Sequence, residues 1–590
     1  MKAKQTKRIL ALLSLTCMTA LVFTACSSNN NGGNTAENNA NQPATTNNAS
    51  NTSSNQAAAT NNGGDEATTP DLSPITFSIS TSDNKLNWDN PVSQKLTEKT
   101  GVTLKYDLIV GDEKQKWDIW LAGGDYPDIM PLDPEHVKKY KDAGAIIPLN
   151  DLIGKYGPHI KEKYGDLYNL LKSDDGNIDS ISSVLLNKEA SPDAVPNFVV
   201  QYDVLKEAGY PTIKTLDQLY DVIAAYVKNH PKIDGKETIG YTAAMADWIM
   251  DAEFNNPITF AAGQVDHGNF RIDADGKVTY NPLTDDAKTY DQFLNKLYSN
   301  GLLDKETFSL NMDGMRAKMA QGRVLAAFAP GWIMGDTEKS LRAGGKPERA
   351  YAHIPIYFNE NVVDHNNTIT PIGTGTGQWV ITKNAKNPER IMQFIDYLFS
   401  DEGQVLTHWG VEGKDYTIVD GKRVETPEKI ANMASDPDYM YKTGLKSVSS
   451  GPAGEWFSLG NGTKLADGDY ATPTTKDSVV KGYDDMTKEV LAKYGKTVWA
   501  DFLPPVEKVP GYLWQLTPPD STKVAQQKIS GDWRKGIPKL IMSKDASEFD
   551  KNWDAMKESI TKDGLTEYEG AFTTLWADFV SKYNAQLGGN

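Results

Sequence analysis

Cysteine is almost absent from this chain of 590 residues, which carries only Cys17 and Cys26. Everything after residue 26 lacks the residue altogether, which excludes disulfides, thiol nucleophiles and cysteine-ligated metals from any folded body there. Histidine is also scarce. His136, His159, His230, His267, His353, His365 and His408 are scattered and share no metal-ligand spacing. Neither a G-x-S-x-G elbow nor an H-E-x-x-H helix occurs, so the common hydrolase signatures are missing. Glycosidase chemistry needs only two carboxylates flanking one bond, and among 78 acidic residues no particular pair stands out. Basic charge is in deficit, with a formal net charge of -17. That balance argues against nucleic acid and against direct adhesion to anionic lipid. Apolar runs of membrane length are missing as well. The longest, Ile9 to Phe23, is too short to span a bilayer comfortably.

That run has the flanks of a processing signal. Lys2, Lys4, Lys7 and Arg8 precede it, and Phe23-Thr24-Ala25-Cys26-Ser27 follows. Small residues before a retained cysteine resemble a bacterial lipobox, which implies a signal peptide over 1–25 and lipidation of Cys26. From 27 to 70 the chain is Asn, Ser, Thr, Ala and Gly with almost nothing to bury, so no core can form. As a coil it would span about 35–40 Å, long enough to lift a globule off a lipid surface. The expected location is the outer face of the cytoplasmic membrane, with the lipid supplying attachment. A body of this length without disulfides needs a large core of its own, in more than one domain or lobe.

Past residue 73 strands and helices alternate. Ile75-Thr76-Phe77-Ser78-Ile79 reads as a strand, 90–100 as a helix, and 101–108 as a strand with Val102, Leu104 and Tyr106 on one face. A helix over 113–122 breaks at Gly123-Gly124, and Tyr126 to Met130 is a short apolar strand. Later come a strand over 197–202, a Thr215-capped helix to about residue 227, an Asp-Gly hairpin over 272–280, and a strand over 324–328. A strand over 379–382 precedes a helix over 388–400, and helices recur at about 482–494, 520–530, 548–560 and 567–587. Alternation of this kind predicts an α/β layered fold.

Leu121-Ala122-Gly123-Gly124-Asp125-Tyr126-Pro127-Asp128-Ile129, Asp203 to Gly209 with Thr215 to Leu219, Gly377 to Thr382 running on to Gly403, and Trp409-Gly410-Val411-Glu412-Gly413-Lys414-Asp415-Tyr416-Thr417 carry a family resemblance in their order and spacing. Over roughly 73–590 the chain resembles extracellular solute-binding lipoproteins of bacterial ABC importers, in particular large Bacillus- and Paenibacillus-type members similar to alginate-oligosaccharide-binding proteins. The resemblance implies a periplasmic-binding-protein-like α/β fold of two discontinuous lobes with an interlobe cleft. The expected division is 73–195 plus 383–500 for lobe 1 and 196–382 plus 501–590 for lobe 2. The chain would cross near 195–202, near 370–382 and, at Asp501-Phe502-Leu503-Pro504-Pro505, near 500–512. Lobes joined by a few strands can hinge and close on a ligand. The implied partners are an oligosaccharide and the permease subunits, with the protein acting as a monomer and not as an enzyme. A peptide ligand is the runner-up.

With 13 Trp and 26 Tyr, the chain has aromatic rings to cover the apolar faces of sugars. Trp332 follows Pro330-Gly331 just beyond the strand 324–328, where open α/β sheets bind ligands, and the resemblance puts a stacking aromatic near it. Trp379 lies beside the run Gly373 to Gly377, and Asp128 and Asp133 flank the strand 126–130. Trp248 and Trp456 each sit next to an acid, Asp247 and Glu455. No cofactor is expected. The resemblance raises calcium through an EF-hand-like loop after the helix 216–227, but Asn229 to Glu237 is too short in oxygen ligands for such a loop. Asp273 to Lys277 is expected to be a hairpin turn, not a cation site.

Overall fold

The computed structural model describes residues 71–587 apart from 174, 183–187, 194–196, 247, 372–376 and 447–455. The leader, Cys26 and the tether lie outside these residues, as do Asp247, Glu455 and most of the Gly373–Gly377 run. Among the described residues no helix is long and apolar enough to cross a membrane.

Nine strands build the two main sheets: β1 Ile75–Thr81, β2 Val102–Leu108, β3 Ile129–Leu132, β4 Ile181–Ser182, β5 Asn197–Gln201, β6 Ile239–Thr242, β7 Val324–Ala329, β8 Tyr351–Ile354 and β9 Gln378–Ile381. The first sheet has the order β2-β1-β3-β9-β4 and the second β8-β5-β7-β6. The α/β expectation holds, with helices covering both sheets as two sheet-containing lobes of a periplasmic-binding-protein-like architecture. In the first sheet β1 runs parallel to β2 and β3, and β9 runs against β3. In the second, β6 and β7 are parallel and β5 runs against β7.

Each lobe has its own core. Ile79, Leu104, Ile129, Trp379, Phe394, Leu398 and Phe457 belong to the first. Phe198, Tyr241, Phe328, Trp499, Trp533 and Phe572 belong to the second. Every residue of β7 is buried, because Leu325 and Phe328 meet one apolar cluster while Val324, Ala327 and Ala329 meet another. A strand covered on both faces reads as a continuous apolar run, which is how it stands in the sequence.

Local chemistry sets the helix ends. Asn90 accepts from Ser93 N to start the helix Pro91–Thr100, and Gly101 closes it in the left-handed region. Thr215 and Gln218 form a reciprocal capping box at the head of Leu216–Asn229.

The packing locates the crossings. The chain leaves the first sheet after Ser182 and enters the second at Asn197; it leaves the second after Ile354 and re-enters the first at Gln378. The strand Gln378–Ile381 thus lies in the first sheet, although the sequence division ran lobe 2 through 382. The last crossing falls between Ala471 of the first core and Val490 and Leu491 of the second, upstream of the Pro504-Pro505 segment. That segment leads into Glu507–Lys508, which pairs in parallel with Thr368–Ile369.

Candidate functional site

Strand direction decides which side chains can meet between the lobes. The parallel strands β6 and β7 end at Thr242 and Ala329 on one edge of the second sheet. Chains leaving adjacent parallel strands emerge side by side. After β6 the chain reaches Trp248; after β7 Pro330 precedes the helix Gly331–Ala343, with Trp332 in its first turn. The two indoles lie with ring centroids 5.7 Å apart, inclined by 30°. Trp332 is half-buried against the cluster around Val324 and Ile333, and its carbonyl accepts from Arg316 at 2.8 Å. Trp248 is 51% exposed. Together they form a supported aromatic platform with an open face.

The C-terminal edge of the first sheet supplies polar groups. Beyond β1, Asp83 accepts from the Tyr441 hydroxyl at 2.7 Å, and the Lys85 ammonium stands 5.4 Å from the Tyr441 ring. The pKa of Lys85 is raised, first by its hydrogen bond to Asp438 and then by nearby carboxylates that include Asp336. Asp336 belongs to the Trp332 helix, so the two lobes face each other here. Beyond β3, Asp133 caps the helix Pro134–Asp142 through His136 N at 2.8 Å and pairs with Lys114 at 2.9 Å. Burial would raise its pKa, but the bonds from His136 and the Lys114 charge outweigh burial and hold it well below the carboxylate range.

A cavity of about 490 Å³ lies between the lobes on another face of the Trp332 helix, with Glu338 and Arg342 on one wall, Ile430 and Met433 opposite, and Asp193 and Tyr483 from crossing segments. Arg342 joins Glu338 at 3.2 Å to Asp484 at 2.6 Å, and the Tyr483 hydroxyl donates to Asp193 at 2.6 Å. These bonds fix the crossing segments against the second lobe.

The expected residues thus part company. Trp332 and Trp248 are brought together, and Asp133 stands at the facing sheet edge. Asp128 sits at the entry to β3, at the opposite end of the strand, and accepts from both Ser78 N and Ser78 Oγ at 2.8 Å. Its work is to tie β1 to β3. Trp379 is 1% exposed and packs on Phe457 with centroids 4.8 Å apart. Trp456 is 2% exposed, edge-on to Trp88, and its Nε1 donates to the Gly444 carbonyl at 3.0 Å. Both rings are first-lobe core and present no face to a solute. In β9 the alternating pleat sends Trp379 and Ile381 to that core. Sequence reading missed Asp83, Lys85 and Tyr441, whose meeting joins residues more than 350 positions apart.

The segment raised for calcium forms a tight hairpin, Lys232–Ile233 against Lys236–Glu237. Asp234 and Gly235 at its tip both have positive φ, and Asp234 pairs with Lys346 at 2.7 Å. The Asp273–Lys277 stretch is likewise a turn, between Phe270–Ile272 and Val278–Tyr280.

Two α/β lobes with an aromatic platform on one and charged groups on the other define a two-lobed solute-binding architecture. Comparison with known proteins makes the assignment particular: residues 80–405 match the family described as bacterial extracellular solute-binding protein, and the chain belongs to it. It is 23% identical over 510 residues to the fructooligosaccharide ABC transporter substrate-binding protein FusA of Streptococcus pneumoniae, which spans 84% of this chain and 88% of that one. In fold it is similar to the alginate-binding protein AlgQ2, with a TM-score of 0.63 and 19% identity over 87% of this chain and 100% of that one. FusA in complex with kestose gives a TM-score of 0.60 at 19% identity over 86% and 100%.

Proposed function

We propose that the chain is the substrate-binding component of an ABC importer, which captures an oligosaccharide in the interlobe cleft and delivers it to the membrane permease. The observation that carries this reading is the Trp248–Trp332 pair, open to solvent at a sheet edge that faces charged groups of the other lobe. Indole faces cover the C–H faces of sugar rings, and carboxylates and ammonium groups take the hydroxyls. The similarity to FusA and AlgQ2, whose names specify fructooligosaccharide and alginate, supports the same reading. Ligand contacts made only with the lobes together would stabilise a closed state, which is the form a permease can distinguish.

A thermal-shift screen over neutral oligosaccharides, acidic oligosaccharides and peptides tests the ligand class. Binding to the folded state raises the melting temperature by mass action, by about 2.7 kcal/mol of stabilisation at a hundredfold excess over Kd. The expected result is stabilisation by at least one oligosaccharide series; stabilisation by peptides alone would overturn the proposal.

We further propose that the mature chain begins at a lipidated Cys26 on the outer face of the membrane and works there as a monomer. Cys26→Ser is expected to move the protein from the membrane fraction to the medium. Intact mass should show diacyl or triacyl modification of the native chain, and an unmodified start elsewhere would refute the anchor.

A further inference from the structure

The second lobe carries another open aromatic face that the site above does not use. Tyr512 and Trp514 stack almost parallel, with an interplanar angle of 4° and centroids 5.7 Å apart. Trp514 is 47% exposed, a large apolar ring left in water. It is nevertheless held in place. Its Nε1 donates to the Asp266 carbonyl at 3.2 Å, and the Tyr512 hydroxyl meets Thr368 Oγ1 at 2.9 Å. Between the two rings in sequence, Leu513 N donates to His267 Nδ1 at 3.2 Å. Burial pushes the His267 pKa down to about 4, so the imidazole is neutral and its Nδ1 can accept at neutral pH. Gly268 has a φ of +71°, and a Cβ there would come 3.0 Å from Trp514 Cβ, so the backbone approaches the indole where only glycine fits easily.

This face lies on the same lobe as the Trp248–Trp332 platform and is tied to it through one largely buried turn. Asp251 N donates to the Trp248 carbonyl at 3.0 Å, opening the short helical turn Asp251–Asn255. Asn255 at its far end donates through Nδ2 to the Gly268 carbonyl at 2.5 Å, directly beside Trp514. A single turn of helix thus links the two aromatic platforms. The segment also borders the other lobe. Shortly beyond Trp514, Asp520 and Lys523 pair at 3.5 Å with Lys138 and Glu135 of the helix that Asp133 caps.

We propose that Trp514, backed by Tyr512, is a second sugar-stacking subsite, so that the cleft takes an extended oligosaccharide with one ring on Trp248 and Trp332 and another on Trp514. The inference rests on the oligosaccharide reading above and adds to it the length of the ligand. A five-residue helical turn, about 6–7 Å of rise, stands between the platforms, so a single sugar ring seated on Trp248 and Trp332 leaves Trp514 uncovered. An extended chain engages them together and gains affinity without any change at the first subsite.

Calorimetric titration of the full chain tests this with ladders of inulin-type fructo-oligosaccharides, alginate oligosaccharides and oligogalacturonates, each from disaccharide to hexasaccharide. In a ladder that binds, the native protein should gain affinity with length. Trp514→Ala should match it for the shortest member that binds and fall about tenfold behind for the longest. Trp514→Phe, which keeps a flat ring over Tyr512, should recover most of the loss and shows that the position tolerates change. Equal affinities of Trp514→Ala and the native protein at every length would overturn the subsite while leaving the oligosaccharide reading intact. A uniform loss at all lengths would assign Trp514 a structural role and overturn the subsite too. No binding by any ladder would overturn both.

Discussion

Trp332→Ala is expected to weaken oligosaccharide binding about thirtyfold or more, a loss of about 2 kcal/mol or more. The ring is half-buried against the apolar cluster below β7 and stacked on Trp248, so the variant removes a preorganised surface and not merely one contact. For the same reason its unligated melting temperature should fall somewhat. Trp248→Ala provides the cleaner comparison, because that ring is half-exposed and its loss opens no large cavity. Calorimetry of unfolding and of binding on both variants and on the double variant separates the effects. If the rings act as one platform, the double variant loses less than the sum of the single losses, by about 0.5–1.5 kcal/mol. Unchanged affinity in folded Trp332→Ala would remove the residue from the site.

The second large effect concerns stability at the end of β6, which aims the chain toward Trp248. Asp304 is buried and accepts from Lys318 Nζ with both carboxylate oxygens at 2.9 Å, and from Thr242 Oγ1 at 3.0 Å. Lys318 is itself buried, and its other carboxylate partner, Glu306 at 3.0 Å, is largely exposed. Asp304→Ala therefore leaves a buried ammonium with weak compensation and should cost about 3 kcal/mol of unfolding free energy, the low end for a broken buried pair. Adding Lys318→Met should recover much of that loss, since a matched apolar pair carries no desolvation penalty. Urea denaturation of the two variants checks both numbers. A single variant within about 0.5 kcal/mol of the native protein would show the pair to be energetically idle.

Much of this architecture is legible in local sequence. The Thr215 cap and the Asp-Gly turn at 275–276 announce themselves, because their physics spans only a few residues. The uninterrupted apolar run of β7 predicts a doubly covered strand. Locally weak signals were missed. The helix that begins at Gly331 opens on Pro-Gly, which reads as a turn, and its helical continuation is fixed by packing Ile333, Met334 and Leu341 into the second lobe. The helices Asn150–Tyr156 and Pro158–Tyr164 are short and lean on Phe394, Leu398 and their neighbours, hundreds of residues away.

The site divides along the same line. By itself the sequence determined that the body lacks disulfides, that α and β elements alternate, and that Trp332 follows a strand end, since each depends on composition or on adjacent residues. Only the tertiary structure decided which aromatic rings are open. Trp248, Trp332, Trp379 and Trp456 are chemically the same residue and occur in similar local company. Whether a ring faces water or core depends on the pleat of its strand and on what packs above it, as Phe457 does on Trp379 and Trp88 beside Trp456. The pairing of Trp248 with Trp332 follows from the parallel alignment of β6 and β7, and the meeting of Asp83 with Tyr441 from the return of the chain to the first lobe. Contacts made across such sequence distances leave no periodic trace in the sequence, because nothing near either residue encodes the other.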